Sequence, residues 1–167
     1  MAAGALISAE QYLATHFGER EPEFVHGELI ERPMPTWLHG RLQYLLAVRL
    51  SGIGFGGSEV RMRLADDIYR IPDLAWFKGS PPEEQVPTSP PFLVIEITSP
   101  DERHQNLLQK LEEYRGWGVQ HIWVVEPELK RFYIYDGGLK PVDRFALAES
   151  GLQVIAEDLF AEAYGEQ

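Results

Sequence analysis

Apolar residues recur along this chain in two rhythms. Between residues 36 and 52, Leu38, Leu42, Leu45, Leu46 and Leu50 fall three and four apart, one face of an amphipathic helix that Gly52 ends. Leu107, Lys110, Leu111 and Tyr114 repeat the pattern and predict a second helix. Ser99 would cap it, Pro100 would take its first position, Glu102 would close a capping box, and Gly116 and Gly118 would terminate it. Ser8 and Gln11 form a capping box for a short helix reaching about His16. Elsewhere the rhythm is two, or unbroken. Residues 59–64 alternate Val60, Met62 and Leu64 with charged neighbours, and residues 68–77 continue as a second, antiparallel strand after the Asp66-Asp67 turn. Residues 92–97 and 121–125 are nearly continuous apolar runs, as in strands buried on both faces, and with the helix between them they predict a right-handed crossover with parallel strands. His26-Gly27 suits the turn of an N-terminal hairpin. Residues 131–135, turning at Asp136-Gly137-Gly138, suit a C-terminal one, followed by a strand near 152–155 and a short helix from Asp158. The proline-rich stretch 79–91 is expected to be a surface loop and not a linker, because each flank alone is too small for a core. The expected architecture is α/β: one domain over residues 1–167, with a mixed central sheet flanked by helices in the order αβββαβ and hairpins added at both ends.

Composition narrows the chemistry. At 44% hydrophobic and 11% aromatic residues the chain can fill a core, and the absence of cysteine excludes disulfides, thiolate metal sites and thiol nucleophiles. No positive leader opens the first fifteen residues and no segment approaches the ~20 apolar residues of a membrane helix, so a cytoplasmic location without membrane contact is expected. The net charge of −11, from 15 basic and 26 acidic residues, opposes binding to a polyanion unless basic residues cluster locally. Arg61, Arg63 and Arg70, with Arg103, Lys110 and Arg115 on the following helix, are the candidates for such a cluster. The glycines from Gly52 to Gly57 match a dinucleotide fingerprint formally, but the helix precedes the strand, so they are expected to form a flexible turn. The histidines show no zinc spacing, and Trp37, Trp76, Trp117 and Trp123 read as core or interface aromatics.

Two carboxylates interrupt this apolar pattern. Period two places Glu96 on the face of Phe92 and Val94, in a strand whose faces both require burial. A lone buried carboxylate costs several kcal/mol, so Glu96 must meet a cation, remain protonated, or sit where the strand end opens into a cleft. Asp73 stands beside Pro72 in an otherwise apolar stretch, and if the two strands are neighbours the acids meet. Magnesium accepts one or two carboxylates together with waters and a phosphate. A structural ion pair of Glu96 with Lys110 or an arginine, and a turn capped by Asp73, would account for the same residues.

Pro72-Asp73, the run Val94-Ile95-Glu96-Ile97-Thr98-Ser99-Pro100, Lys110-Leu111 with Tyr114, Gly118-Val119, and Ile122-Trp123-Val124-Val125-Glu126-Pro127 resemble the bacterial Uma-type family of restriction-endonuclease-like proteins, in consistent order from about Glu23 to Glu126. That family is assigned to the PD-(D/E)XK nuclease superfamily. The resemblance implies a restriction-endonuclease-like core and hydrolysis of phosphodiester bonds in DNA. It also implies Mg2+, with Mn2+ as a substitute, held by Asp73, Glu96 and the main-chain carbonyl of Ile97. Where the superfamily pattern has lysine two residues after the glutamate this chain has Thr98, so the resemblance assigns the basic role to Lys110. Glu28, His39, Asn106 and Tyr114 would support the site, although for Glu28 and His39 an ordinary surface role is the simpler account. Nucleases of this fold often pair so that each copy cuts one strand, which makes a homodimer the expected assembly. A nuclease fold retained as a non-catalytic interaction domain, or a phosphodiesterase for other substrates, are the alternatives.

Overall fold

In the computed structural model, which describes residues 6–166, the capping box of Ser8 and Gln11 is formed at the start of helix α1 (Ala9–Ala14). Residues 1–5 and 167, which belong to the expected domain, lie outside the described residues, and residues 1–5 are also part of the N-terminal stretch in which no leader was expected. The Tyr12 ring packs with Phe24 and Tyr69, and its hydroxyl donates to the Pro22 carbonyl at 2.8 Å. This anchors the hairpin of β1 (Glu23–Val25) and β2 (Glu28–Ile30), whose turn residues His26 and Gly27 both have positive φ. Helix α2 (Trp37–Leu50) follows, with the Thr36 hydroxyl accepting the His39 N–H at 3.2 Å.

The central sheet has six strands, β3 (Phe55–Ser58), β6 (Leu74–Phe77), β7 (Leu93–Ile97), β8 (His121–Glu126), β9 (Arg131–Tyr135) and β10 (Leu139–Val142), in the spatial order β10-β9-β8-β7-β6-β3. β7 and β8 run parallel through helix α3 (His104–Trp117), and the other neighbours are antiparallel. The succession α2, β3, β6, β7, α3, β8 has the expected αβββαβ order, but its first strand is β3 and not the expected strand at 59–64, which forms β4 (Met62–Ala65) and is inserted with β5 (Ile68–Arg70). These two join the hairpin in a four-stranded sheet, β2-β1-β5-β4. β7 is buried on both faces, as its apolar run requires. Leu93, Ile95 and Ile97 pack with Leu42 and Leu46 of α2 and with Leu159 and Phe160 of α4 (Ala156–Tyr164), while Val94 packs with Leu111 and Tyr114 of α3. Among the described residues no helix is long and apolar enough to cross a membrane.

Several expectations are corrected. Residues 68–77 are not one strand: Pro72, which has no N–H for a ladder, lies in a break that sends β5 and β6 into different sheets. The glycine run is not merely a turn, because Phe55 to Ser58 form the edge strand β3. Gly56 lies so close to Trp76 that an added Cβ would stand 2.5 Å from the indole ring. Ser99 caps no helix. The Glu102 N–H donates to the Ser99 carbonyl at 3.1 Å in a turn, α3 begins only at His104, and Gly116 lies inside it while Gly118, with φ of 112°, ends it. A strand ahead of residues 152–155 was not expected, yet β11 (Arg144–Leu147) pairs there with β12 (Leu152–Ile155). Trp37, expected in a core or an interface, is not in the core: it is 81% exposed because it occupies the outward first position of α2.

Candidate active site

Register brings the two anomalous carboxylates together. Leu74 of β6 pairs with Ile95 of β7, so one step further along the same antiparallel ladder sets Asp73 across from Glu96. The Asp73 main-chain carbonyl accepts from Gln43 Nε2 at 2.8 Å and from the Glu59 N–H at 3.2 Å. Its side-chain Oδ2 accepts the Ile97 N–H at 2.7 Å, and Oδ1 lies 3.1 Å from His39 Nε2. Against its burial, His39, Lys110 and the Ile97 N–H hold the Asp73 carboxyl below its usual range. Glu96 Oε1 accepts the Tyr114 hydroxyl at 2.9 Å and lies 2.8 Å from Lys110 Nζ. Burial, opposed by Lys110 and reinforced by Asp73, Glu23 and Glu102, pushes the Glu96 carboxyl up to about 8.

Glu23 is a third acid at this point, one that the sequence did not single out. β1 pairs with β5 through Phe24 and Tyr69, and continuing that register sets Glu23 opposite Arg70. Its Oε1 accepts the Ile71 N–H at 2.8 Å and lies 2.7 Å from Lys110 Nζ, and its Oε2 accepts from Arg70 Nη1 at 3.0 Å. Lys110 and Arg70 overcome burial and lower its pKa. An acid heading a strand whose three residues are all buried was the available signal, visible only once the hairpin is known to pack inward. Glu28, the hairpin acid named from sequence, is exposed on β2 across from Val25 and stands outside the cleft.

Lys110 reaches in from α3 as expected. Its Nζ also donates to the Ile71 carbonyl at 3.2 Å, and despite burial its carboxylate neighbours hold it protonated. These groups open into a cleft of about 630 Å³. Asn106, one turn before Lys110, lies on the cleft lining, as does Glu102, whose pKa is raised mainly by burial. Thr98 also borders the cleft, but its N–H is committed to the Val125 carbonyl at 2.9 Å, so Lys110 is the ammonium group beside the acids. The expected basic cluster is dispersed. Arg61 lies over the Tyr12 ring, Arg63 pairs with Asp66, and Arg115 pairs with Glu112, leaving Arg70, Arg103 and Lys110 of the original six on the cleft. Arg20 and Arg32 join them there, unanticipated.

The donor set fits a hard divalent cation. Asp73 and Glu96 present oxygen at the ends of adjacent strands, and no hydrogen bond among the described residues reaches Glu96 Oε2. Among the described residues no group of three or more histidine and acidic side chains forms a ready cage, so the fit is to an ion that takes one or two carboxylates and completes its shell with water and phosphate oxygen.

A mixed sheet with the αβββαβ core, and an acidic cleft at the ends of its middle strands with a lysine leaning in from the crossover helix, place the chain among restriction-endonuclease-like α/β proteins. The model of the Uma2 family, described as "Putative restriction endonuclease", matches residues 9–162, and the chain belongs to that family. Its fold is similar to the crystal structure of a "putative nuclease belonging to DUF820" from Anabaena variabilis, with a TM-score of 0.82 and 22% identity over 94% of this chain and 99% of that one. No curated protein matches the chain.

Proposed function

We propose that this chain is a divalent-metal-dependent endonuclease that hydrolyses phosphodiester bonds in DNA. The observation that carries the proposal is the opposition of Asp73 and Glu96 on neighbouring strands, with Lys110 Nζ 2.8 Å from Glu96. Family membership and the likeness to a protein titled a nuclease support it. Asp73, Glu96 and the Ile97 carbonyl would hold magnesium, with manganese as a substitute. When bound, the ion supplies an acidified water and charge stabilisation at the phosphate. The Ile97 N–H and His39 each hold one oxygen of the Asp73 carboxylate at the cleft lining, and His39 is buried, so it acts on Asp73 and not on bulk solvent. Tyr114 and Lys110 orient Glu96 through the same oxygen. Lys110, whose charge is maintained by Glu23 and whose donors go to Glu23, Glu96 and the Ile71 carbonyl, would hold Glu96 in place beside the attacking water.

Magnesium titration by calorimetry tests the proposal together with plasmid nicking. Saturable binding and nicking that Asp73→Asn and Glu96→Gln both abolish are the expected result. A protein that binds neither metal nor DNA is an interaction domain on a nuclease fold. One that binds metal and cleaves small phosphodiesters without DNA affinity has another substrate.

A further inference from the structure

Arg20, in the loop after α1, and Arg32, just beyond β2, come from different segments yet border the cleft that holds Asp73 and Glu96. Both guanidinium groups donate to one atom, Glu59 Oε1, from Arg20 Nη2 at 3.0 Å and from Arg32 Nη2 at 3.2 Å. Their side chains are only 13% and 8% exposed, so two cations are largely withdrawn from water around a single carboxylate. One positive charge is left over, and Arg20 Nε is buried with no hydrogen-bond partner. The mutual repulsion of two such groups is tolerable where a second anion completes the set. Glu59 itself is a non-glycine residue at φ of 52°, and its N–H donates to the Asp73 carbonyl at 3.2 Å. The arginine pair is thereby tied through one residue to the backbone of the acid that faces Glu96. A guanidinium fork matches two phosphate oxygens in one plane, and buried charge-assisted hydrogen bonds of this kind are the strong ones.

We propose that Arg20 and Arg32, joined by Glu59, form a seat for a backbone phosphate neighbouring the one to be cleaved. The identity of that phosphate rests on the proposed nuclease function, whereas the existence of an anion seat does not. The seat also answers the charge objection locally, because it supplies unmatched positive charge at the cleft of a chain whose net charge is −11.

The test has two arms on the full chain. In the first, inorganic phosphate is titrated at low ionic strength while the arginine side-chain Nε–H resonances are followed by NMR. Saturable displacement of the Arg20 signal is expected, with affinity at least ~10-fold weaker in Arg32→Gln, the scale of a lost charged hydrogen bond. Glu59→Gln keeps an oxygen for both guanidinium groups but removes the competing charge, and it should bind phosphate several-fold more tightly. A purely structural triad would instead lose stability with no change in phosphate affinity. An Arg20 signal that does not move, or equal affinity in the three proteins, overturns the seat. In the second arm, duplex DNA binding is measured by anisotropy without divalent metal, and Arg32→Gln should lower the slope of log affinity against log salt by about one. Cleavage of DNA with an unchanged slope overturns the seat's part in substrate binding and leaves the nuclease standing. Phosphate binding without any DNA binding by the wild type overturns the nuclease and leaves the anion seat.

Discussion

Replacing Lys110 by methionine isolates the electrostatics of the cleft, because one buried ammonium serves two carboxylates in different states. Glu23, at 2.7 Å, has a lowered pKa and stays ionised at neutral pH. Glu96, at 2.8 Å, is pushed up to about 8 and is mostly protonated there. Removing one partner of a buried pair costs about 3–5 kcal/mol, and Lys110→Met should fall near the lower end because Glu23 keeps Arg70 and the Ile71 N–H. The coupling between Lys110 and Glu96 must behave differently. With a folded value above its ordinary 4.5, Glu96 contributes stability that is complete below 4.5 and is lost as pH rises through about 8. Near pH 9, beyond its midpoint, the wild-type carboxylate is ionised against Lys110, which is worth on the order of 1 kcal/mol. Near pH 6 it is neutral and that contribution vanishes. Without Lys110 its pKa climbs further and the carboxyl stays neutral at both values. A double-mutant cycle of Lys110→Met and Glu96→Gln, read by urea denaturation, should therefore give a coupling near zero at about pH 6 and on the order of 1 kcal/mol at about pH 9. A coupling of equal size at both values, or a single Lys110→Met cost below about 1 kcal/mol, refutes the arrangement.

Tyr114→Phe removes the hydroxyl that donates to Glu96 Oε1 at 2.9 Å while keeping a ring that is fully buried. Equilibrium denaturation should show a loss of about 1–3 kcal/mol, and metal affinity should shift more than DNA affinity. Gly56→Ala introduces a Cβ 2.5 Å from the Trp76 ring, which is only 2% exposed and cannot swing away. A loss of about 1–3 kcal/mol by thermal or urea unfolding is expected, and an unchanged midpoint would show that β3 does not press on that ring.

Where charge interrupted an apolar run, the site was legible in the sequence. Asp73 and Glu96 stood out because their stretches are otherwise apolar, Lys110 was pointed to by the family resemblance, and the structure brings those three side chains to one cleft. His39 was named as a supporting residue by the resemblance alone, since its meeting with Asp73 depends on how α2 packs on the sheet, which no local pattern encodes. Glu23 was overlooked for a similar reason: it occupies a three-residue strand, too short for its alternation to say which face turns inward. The division of residues 68–77 was hidden because their apolar pattern runs on through Pro72, and β3 was hidden because Gly56 and Gly57 have no side chains to carry a rhythm. In that strand the missing Cβ is itself the structural device, making room for Trp76.

Net charge was the least informative number, and the cleft shows why. Screening confines exposed charges to a range of ~10 Å, so a polyanion approaching the cleft meets the groups that line it and not the sum over the surface. Inside it, Arg70 is consumed by Glu23 and Glu113, and Lys110 is shared by Glu23 and Glu96. Those cations neutralise acids and add little attraction of their own. Burial keeps the Glu96 carboxyl high despite Lys110 beside it, and it raises Glu102 on the same lining as well, so a cation entering there would meet acids that burial has left poorly compensated. Among the buried cations of the cleft, the positive charge left short of an anion is on Arg20 and Arg32, which share one oxygen of Glu59. A metal ion and a phosphate are complementary to these two imbalances, and each would be poorly matched at the other's position. On the proposed reading the cleft would be completed by an ion and a phosphate together, even though the chain around it is strongly acidic.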